Sequence, residues 1–382
     1  MKKVWRSTLA TAAILGAVTA VTAQAEPISE TLQPTYDALS NKGEGYDLSD
    51  SILGPDSAYD FGGWLAAGYS SQKTGQFNTY GGVELTQAWL YASKTLDASE
   101  GFDWGFRADV MIGADGPDTQ SFGNNPGQWD FDNSTQFDGT SYGLAAPQLY
   151  VELGYQDFKI KGGHFYTPVG YEVVTAPDNF FFSHTLTMYY GEPFTHTGAV
   201  ATYTGLEGVE IFGGWTAGWD TGFDQFNGGS NFLGGLSVQA TDWAKITYTA
   251  TGGDLGWIGE GYSHSVVGDF TVTEKLKYIF QTDYVDTDQK AGAEYETVGV
   301  NQILIYDLTE KVSVGGRAEW FRANTTDYYD VTAGVNVQLL PNLRIRPEFR
   351  YQFSPEVEDG EPNTIGIPVD QAAFAVDAIL TF

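Results

Sequence analysis

From about residue 61 to residue 382 the chain is written in segments of about 9 to 12 residues whose side chains alternate between apolar and polar, the period of a strand with two different faces. In the segment that begins at Leu343, the residues Leu343, Ile345, Pro347, Phe349, Tyr351 and Phe353 share one face, and Arg344, Arg346, Glu348, Arg350 and Gln352 share the other. Between Phe102 and Gly113 the apolar face is Phe102, Trp104, Phe106, Ala108, Val110 and Ile112, while Asp103, Arg107 and Asp109 lie opposite. Segments of the same kind recur near Val209, Leu276, Val312, Tyr329 and Ala372. The apolar faces of the clearest segments carry no charge. Such a pattern does not sit as helix, because adjacent residues of a helix share neighbouring faces rather than opposite ones.

Sixteen segments are expected, starting near Phe61, Val83, Phe102, Ala145, Phe158, Thr197, Val209, Asn231, Trp243, Tyr262, Leu276, Tyr295, Lys311, Tyr328, Leu343 and Ala372. The connections alternate in length. After even segments they are tight, as at Gln156-Asp157, Thr241-Asp242 and Leu340 to Asn342. After odd segments most are long and polar, as at Ala114 to Gly143, Pro168 to His196, Asp220 to Ser230 and Ser354 to Gln371. An even strand count with short turns on one rim and long loops on the other is the layout of a bacterial outer-membrane barrel. The expected fold is therefore all-β: a transmembrane antiparallel β-barrel of about 16 strands, with short periplasmic turns and long extracellular loops.

The first 25 residues read as an export signal. Lys2, Lys3 and Arg6 precede the apolar stretch from Leu9 to Val21, and Ala23-Gln24-Ala25 is a small-residue cleavage site. Residues 26–60 are expected to be a leader or periplasmic segment, with a short helix around Ser29 to Leu39, and the barrel is expected over 61–382. No later stretch offers the ~20 apolar residues of a spanning helix, so a place in the membrane requires a closed barrel. The absence of cysteine excludes disulfides and thiolate metal sites. Glycine at 47 residues and aromatics at 15% favour many strands and turns. There are 19 Lys and Arg, three of them in the export signal, against 49 Asp and Glu. That surface repels nucleic acid. The acids gather between the apolar segments, in Asp115 to Asp138, Asp286 to Glu296 and Glu356 to Asp370.

Trp104, Trp215, Trp219, Trp243, Trp320, Tyr328, Tyr329, Tyr351 and Phe353 fall near segment ends, where an aromatic girdle would meet the lipid headgroups. In the last segment Phe374, Val376, Ala378, Leu380 and Phe382 point one way, and a final strand that ends in Phe382 resembles the signal read by the barrel-assembly machinery. The stretch Gly163-His164-Phe165-Tyr166-Thr167-Pro168-Val169-Gly170-Tyr171-Glu172 runs on through Ala176-Pro177-Asp178-Asn179-Phe180-Phe181 to Tyr189-Tyr190-Gly191-Glu192-Pro193-Phe194-Thr195-His196-Thr197-Gly198. With Gly213-Gly214-Trp215-Thr216 and Gly218-Trp219-Asp220 it resembles the putative beta-barrel porin-2 (OmpL-like) family, over most of the chain from about Gly62 to Phe382. The resemblance implies an outer-membrane barrel and a pore for passive diffusion of small hydrophilic solutes. It supplies no substrate.

Motifs for nucleophilic elbows, zincin helices and phosphate loops are missing, so no catalytic residue, cofactor or metal is expected. His184 and His196 bracket Glu192 in one loop, a spacing that loop packing accounts for and that specifies no metal geometry. Ser263 and Ser265 flank His264, but neighbours on a strand point to opposite faces, which weakens a barrel-embedded hydrolase. An adhesion or structural barrel with acidic surface loops is the other alternative. The charges on the polar faces are expected to line the pore: Arg107, Asp109, Arg317, Glu319, Arg344, Arg346, Glu348 and Arg350. Across the lumen the third loop, 168–196, would form a constriction bearing Glu172, Asp178 and Glu192. The alternative is that the arginines pair with Asp109, Glu319 and Glu348 as structural bridges along the wall. An arginine wall would favour anions at the constriction, and the net acidity would favour cations at the mouth. Expected partners are outer-membrane lipid, the assembly machinery, small solutes or ions and a homotrimer of the chain.

Overall fold

The computed structural model describes residues 45–72, 81–121, 129, 142–224, 228–289, 294–357 and 369–382. The expected export signal, the helix at 29–39 and much of the acidic stretches 115–138 and 356–370 lie outside the described residues. The strands are β1 (Tyr59–Ser70), β2 (Gly82–Lys94), β3 (Phe102–Gly113), β4 (Gly143–Tyr155), β5 (Phe158–Tyr166), β6 (Thr195–Leu206), β7 (Val209–Trp219) and β8 (Ser230–Thr241). They continue as β9 (Ala244–Asp254), β10 (Glu260–Thr273), β11 (Leu276–Asp288), β12 (Glu294–Asp307), β13 (Val312–Ala323), β14 (Thr326–Leu340), β15 (Leu343–Phe353) and β16 (Gln371–Thr381). Each begins within two residues of its expected start. Every strand pairs with its neighbour in sequence, and β1 pairs with β16 to close the barrel. At the seam, Gly63 and Phe382 exchange backbone hydrogen bonds of 3.0 Å in both directions. Closure leaves no edge whose backbone would face lipid unpaired.

The barrel is inside-out relative to a soluble protein. In β15 the inward Arg346, Glu348, Arg350 and Gln352 are buried, while the outward Phe349 and Tyr351 are exposed. Leu149, Val151 and Leu153 of β4 and Phe158 and Ile160 of β5 likewise stand exposed on the outside. An apolar surface of this extent is stable against hydrocarbon and a liability in water.

Two girdle assignments are corrected. Tyr328 and Tyr329 are adjacent, so only one can face lipid, and it is Tyr328 that is fully buried inside with Leu186 and Phe321. Trp219 is also buried, its indole N–H on Thr251 Oγ1 at 3.2 Å. It shares the expected parity of Trp215, but Gly218 adopts φ +106° beside a register shift between β6 and β7, which turns Trp219 inward. One outer connection is also shorter than its class: β13 passes to β14 through 324–325, with Asn324 at φ +52°.

Among the described residues three short helices lie outside the strands: α1 (Leu48–Leu53), α2 (Gly116–Thr119) and α3 (Leu186–Gly191). The segment before β1 reaches the short-turn rim, where Asn342 donates to the Tyr46 carbonyl at 2.7 Å. The third outer connection, 167–194, carries α3 and a 3-10 turn at Ala176–Asp178.

Candidate functional site

The third connection is irregular backbone that must sit inside a membrane barrel, so each of its polar groups needs a partner from the wall. Strand alternation supplies them, since every second residue of β11, β13 and β15 points inward. Arg346 donates from Nη1 to the carbonyls of Ala176, Asn179 and Phe181 at 2.9, 2.8 and 2.9 Å, and its other edge clamps Asp377 at 2.9 and 2.6 Å. Arg317 donates to Glu172 and to the Ser183 carbonyl, both at 2.7 Å. Arg350 donates to the His184 carbonyl at 2.9 Å and pairs with Asp330. Arg344 reaches the Pro177 carbonyl.

The acids of the same wall serve the opposite groups. Glu348 accepts from the backbone N–H of Phe182 and Ser183 at 2.9 and 3.2 Å. Glu319 accepts from the N–H of Leu186 and Thr187 at 2.8 and 2.7 Å, capping the start of α3, where Thr185 also accepts from Met188 N–H. From β2, Gln87 donates to the Val174 carbonyl at 2.8 Å.

The expected site residues therefore divide. Arg317, Arg344, Arg346, Arg350, Glu319 and Glu348 all touch the third connection. Arg317, Arg346 and Arg350 are at most 2% exposed, so they lie beneath it rather than against open lumen. The alternative of bridges along the wall meets other acids than Glu319 and Glu348: Arg317 pairs with Glu172 and Asp330, Arg346 with Asp377 and Arg350 with Asp330, while Glu319 and Glu348 bind amides. Only Arg107 pairs as expected, with Asp109 at 2.6 Å, over the Tyr91 ring and away from the connection.

The three loop acids also separate. Glu172 meets Arg317 and also accepts from Thr185 N–H at 2.7 Å. Asp178 accepts from the Thr175 hydroxyl at 2.6 Å within its own turn. Glu192 crosses to the opposite wall, where Gln281 of β11 bridges it to Asp283. Gly170 at φ +82° is needed beside it, because a Cβ there would collide with the Glu192 carboxylate. Burial, reinforced by the Asp283 carboxylate, pushes the Glu192 carboxyl well above the usual range. Burial raises Asp220, just past β7, to about 6. It accepts from the N–H of Phe194 and Thr195 at 2.7 and 3.0 Å and so holds the tail of the connection. Burial lowers His184 to about 4, against the pull of Glu172. The Glu172 carboxyl itself is depressed: burial raises it, but Arg317 and His184 overcome that.

Asp220, Asp330 and Asp377 were missed by sequence reasoning. Asp330 and Asp377 lie on inward faces directly across from Gln352 and Arg346 in the register, so pairing the strands would have exposed them. The two other chemical readings lose their geometry. His184, Glu192 and His196 go to three different neighbourhoods, with His196 Nε2 at 3.0 Å from the Thr167 hydroxyl. Ser263 faces inward to Thr251 at 2.7 Å, while His264 faces outward to the Tyr248 hydroxyl at 2.6 Å.

A cavity of about 440 Å³ remains between the tail of the connection, the ends of β7 and β12, and the β9–β10 and β11–β12 connections. It opens beside the connections that leave on the long-loop rim, and Trp257, Tyr190 and Tyr295 are among its lining.

A closed sixteen-strand barrel with an apolar outer belt, a polar interior and a connection folded onto its inner wall defines an outer-membrane porin. The family described as putative beta-barrel porin-2, OmpL-like, matches residues 58–382, and the chain belongs to it. Solved structures agree on the fold. The anion-selective porin of Comamonas acidovorans aligns with TM-score 0.58 and 10% identity, over 85% of this chain and 99% of that one. OprB of Pseudomonas putida aligns with TM-score 0.59 and 14% identity, over 90% and 99%. The trimer form of OmpT from Vibrio cholerae aligns with TM-score 0.54 and 14% identity, over 85% and 99%. The comparison with curated proteins finds no match.

Proposed function

We propose that this porin is a passive channel with no catalytic role, whose bore is fixed by the third connection, and that it prefers cations. The observation that carries the reading is the buried arginine cluster: Arg317, Arg346 and Arg350 pair with three buried acids, Glu172, Asp330 and Asp377, while the buried Glu319 and Glu348 of the same wall bind amides of the connection. Arginines matched in this way hold backbone in place and offer little positive potential to a passing ion. The acidic excess of the whole chain then sets the sign of selectivity. The reversal potential of single channels under a KCl gradient tests this. Selectivity for K⁺ is expected, and selectivity for Cl⁻ would overturn the assignment.

The partners follow from the surfaces. Outer-membrane lipid meets the apolar belt, small hydrophilic solutes use the interior, and the assembly machinery reads Phe382. A homotrimer of the chain is resolvable by native electrophoresis. Phe382→Asp places a charge at the closing seam, and we expect it to abolish insertion without blocking export. Normal outer-membrane levels of that variant in fractionated cells would count against the assembly role. Cleavage after Ala25 belongs to the same reading, and the N-terminal residue of the purified protein tests it.

A further inference from the structure

The cavity beside the tail of the third connection has the composition of a binding site rather than of a gap in packing. Six aromatic residues line it: Tyr189, Tyr190, Phe194, Trp219, Trp257 and Tyr295. Its charged lining residues are both acids, Glu192 and Asp220. Its volume of about 440 Å³ falls within the range of roughly 300 to 1,000 Å³ typical of small-molecule sites. The wall is also built rather than accidental. The Tyr295 hydroxyl donates to the Tyr190 carbonyl at 2.8 Å, and Asp220 fixes the backbone of Phe194.

Outside the cavity, the strand ends that frame it carry a row of like charges. Asp254, Glu260, Asp288 and Glu294 stand directly opposite one another across β9, β10, β11 and β12. Carboxylates in such register repel one another, and the stretch is retained at a cost to the sheet. The connections that leave these strand ends supply Trp257, Ile258 and Gln289 to the cavity. The row therefore lies at the approach to the aromatic lining, where it raises the local concentration of cations.

We propose that this cavity is a binding subsite for small organic cations, quaternary ammonium or similar, held over the aromatic faces with Glu192 as counter-charge. The proposal rests on the channel reading for solute access. Aromatic faces attract cations through the ring quadrupole, and they do so best where water is displaced. An inorganic ion would gain less, because it would have to give up tightly bound water for apolar ring faces. An anion meets two acids and no lysine or arginine in the lining.

Protonation offers a signature that a neutral ligand lacks. Burial, reinforced by the carboxylates of Asp283, Glu172 and Glu319, raises the Glu192 carboxyl. A bound cation favours the carboxylate, so binding releases a proton and tightens as pH rises.

The test is calorimetric titration of the full-length protein in detergent with choline, and in parallel with glucose, at pH 6 and pH 8. Single-channel conductance in KCl is measured on the same preparation. Choline is expected to bind, and to bind more tightly at pH 8, while glucose does not. Trp257→Ala should weaken choline binding at least roughly threefold, and Trp257→Phe, which keeps a ring, should restore most of it. Absence of choline binding to protein that conducts normally would overturn the proposal and leave the channel reading intact. So would choline binding insensitive to Trp257→Ala, or glucose binding in its place. Choline binding by protein that conducts no KCl would instead sink the channel reading and leave the subsite standing.

Discussion

The wall made by β13, β15 and β16 and the wall made by β7 to β12 face the same connection and treat it in different ways. The first grips it through guanidinium and carboxylate groups that are almost wholly buried, with hydrogen bonds to eight residues between Ala176 and Thr187. The second offers it fewer hydrogen bonds, through the Thr249 hydroxyl on the Pro168 carbonyl at 3.1 Å, Gln281 on the Tyr171 amide at 3.0 Å, the Tyr295 hydroxyl on the Tyr190 carbonyl at 2.8 Å and the Glu192 bridge, and packs Ile279 and Ile303 against Phe181. Its other inward groups bond to each other, as Ser237 with Thr247 at 3.0 Å and Thr251 with Ser263 at 2.7 Å. One wall holds the connection chiefly through buried charge, the other chiefly through apolar packing and a few hydroxyl and amide contacts. The division follows from the chemistry of the side chains: arginine presents several donors in a rigid fork that can serve three carbonyls at once, whereas a hydroxyl serves one.

The largest effect should come from breaking the grip at its most connected point. Arg346→Met keeps much of the side-chain length but leaves Asp377 buried without its cation and three carbonyls without a donor. Removing one member of a buried pair typically costs about 3–5 kcal/mol. The expected readouts are a clear fall in the temperature at which the barrel loses its folded gel mobility, and larger, noisier single-channel currents from the loosened connection. Unchanged mobility and current would mean that the connection is held elsewhere and that the two walls do not differ as described.

The difference between the walls was partly legible in the sequence. Alternation with charge confined to one face placed Arg317, Arg344, Arg346 and Arg350 on the inside, because a one-residue slip would have put every one of them in lipid. Strand starts were legible for the same reason. What the arginines bind was not legible, since it depends on how 28 residues of irregular backbone, 167–194, fold back onto a wall more than a hundred residues away in sequence. Trp219 shows a second limit. Its parity with Trp215 predicts the lipid face, and a single glycine at positive φ overrides it. The cavity was the least legible feature, because all of its lining but Trp219 and Tyr295 comes from the third connection and from the β7–β8, β9–β10 and β11–β12 connections. None of these has a periodic pattern of its own.

A smaller effect should separate the two ends of the connection by pH. His184, on the gripped part of the connection beside Glu172, Arg317, Arg346 and Arg350, is lowered by burial from 6.5 to about 4. The unfolded chain therefore takes up a proton that the folded form refuses, so this contribution is complete above about pH 6.5 and is lost as pH falls toward 4. Asp220, which holds the tail against the other wall, is raised from 3.8 to about 6. The sign is opposite: its contribution is complete below about 3.8 and is lost as pH rises through 6. Hydrogen exchange, corrected for intrinsic rate, should show the amides of Ser183 and Thr185 losing protection between pH 7 and pH 5. The amides of Phe194 and Thr195 should gain protection over the same interval. Parallel changes at both ends would show that the connection responds as one body.

The smallest effect is expected on the second wall. Thr251 donates to or accepts from Ser263 at 2.7 Å and accepts from the Trp219 indole at 3.2 Å, all within a layer of inward hydroxyls. Thr251→Val removes the hydroxyl while keeping the branched shape that β9 favours. Both partners lose a bond, yet Ser263 is small and the layer is polar, so the cost should stay near the ordinary net worth of a hydrogen bond, about 1 kcal/mol. No backbone of the third connection depends on Thr251, so conductance and ion selectivity should stay at their wild-type values. The comparison is with Arg346→Met, measured by the same melting and bilayer assays. A Thr251→Val protein as destabilised as Arg346→Met would mean that the hydroxyl layer, and not the arginine cluster, holds the inside of this barrel together.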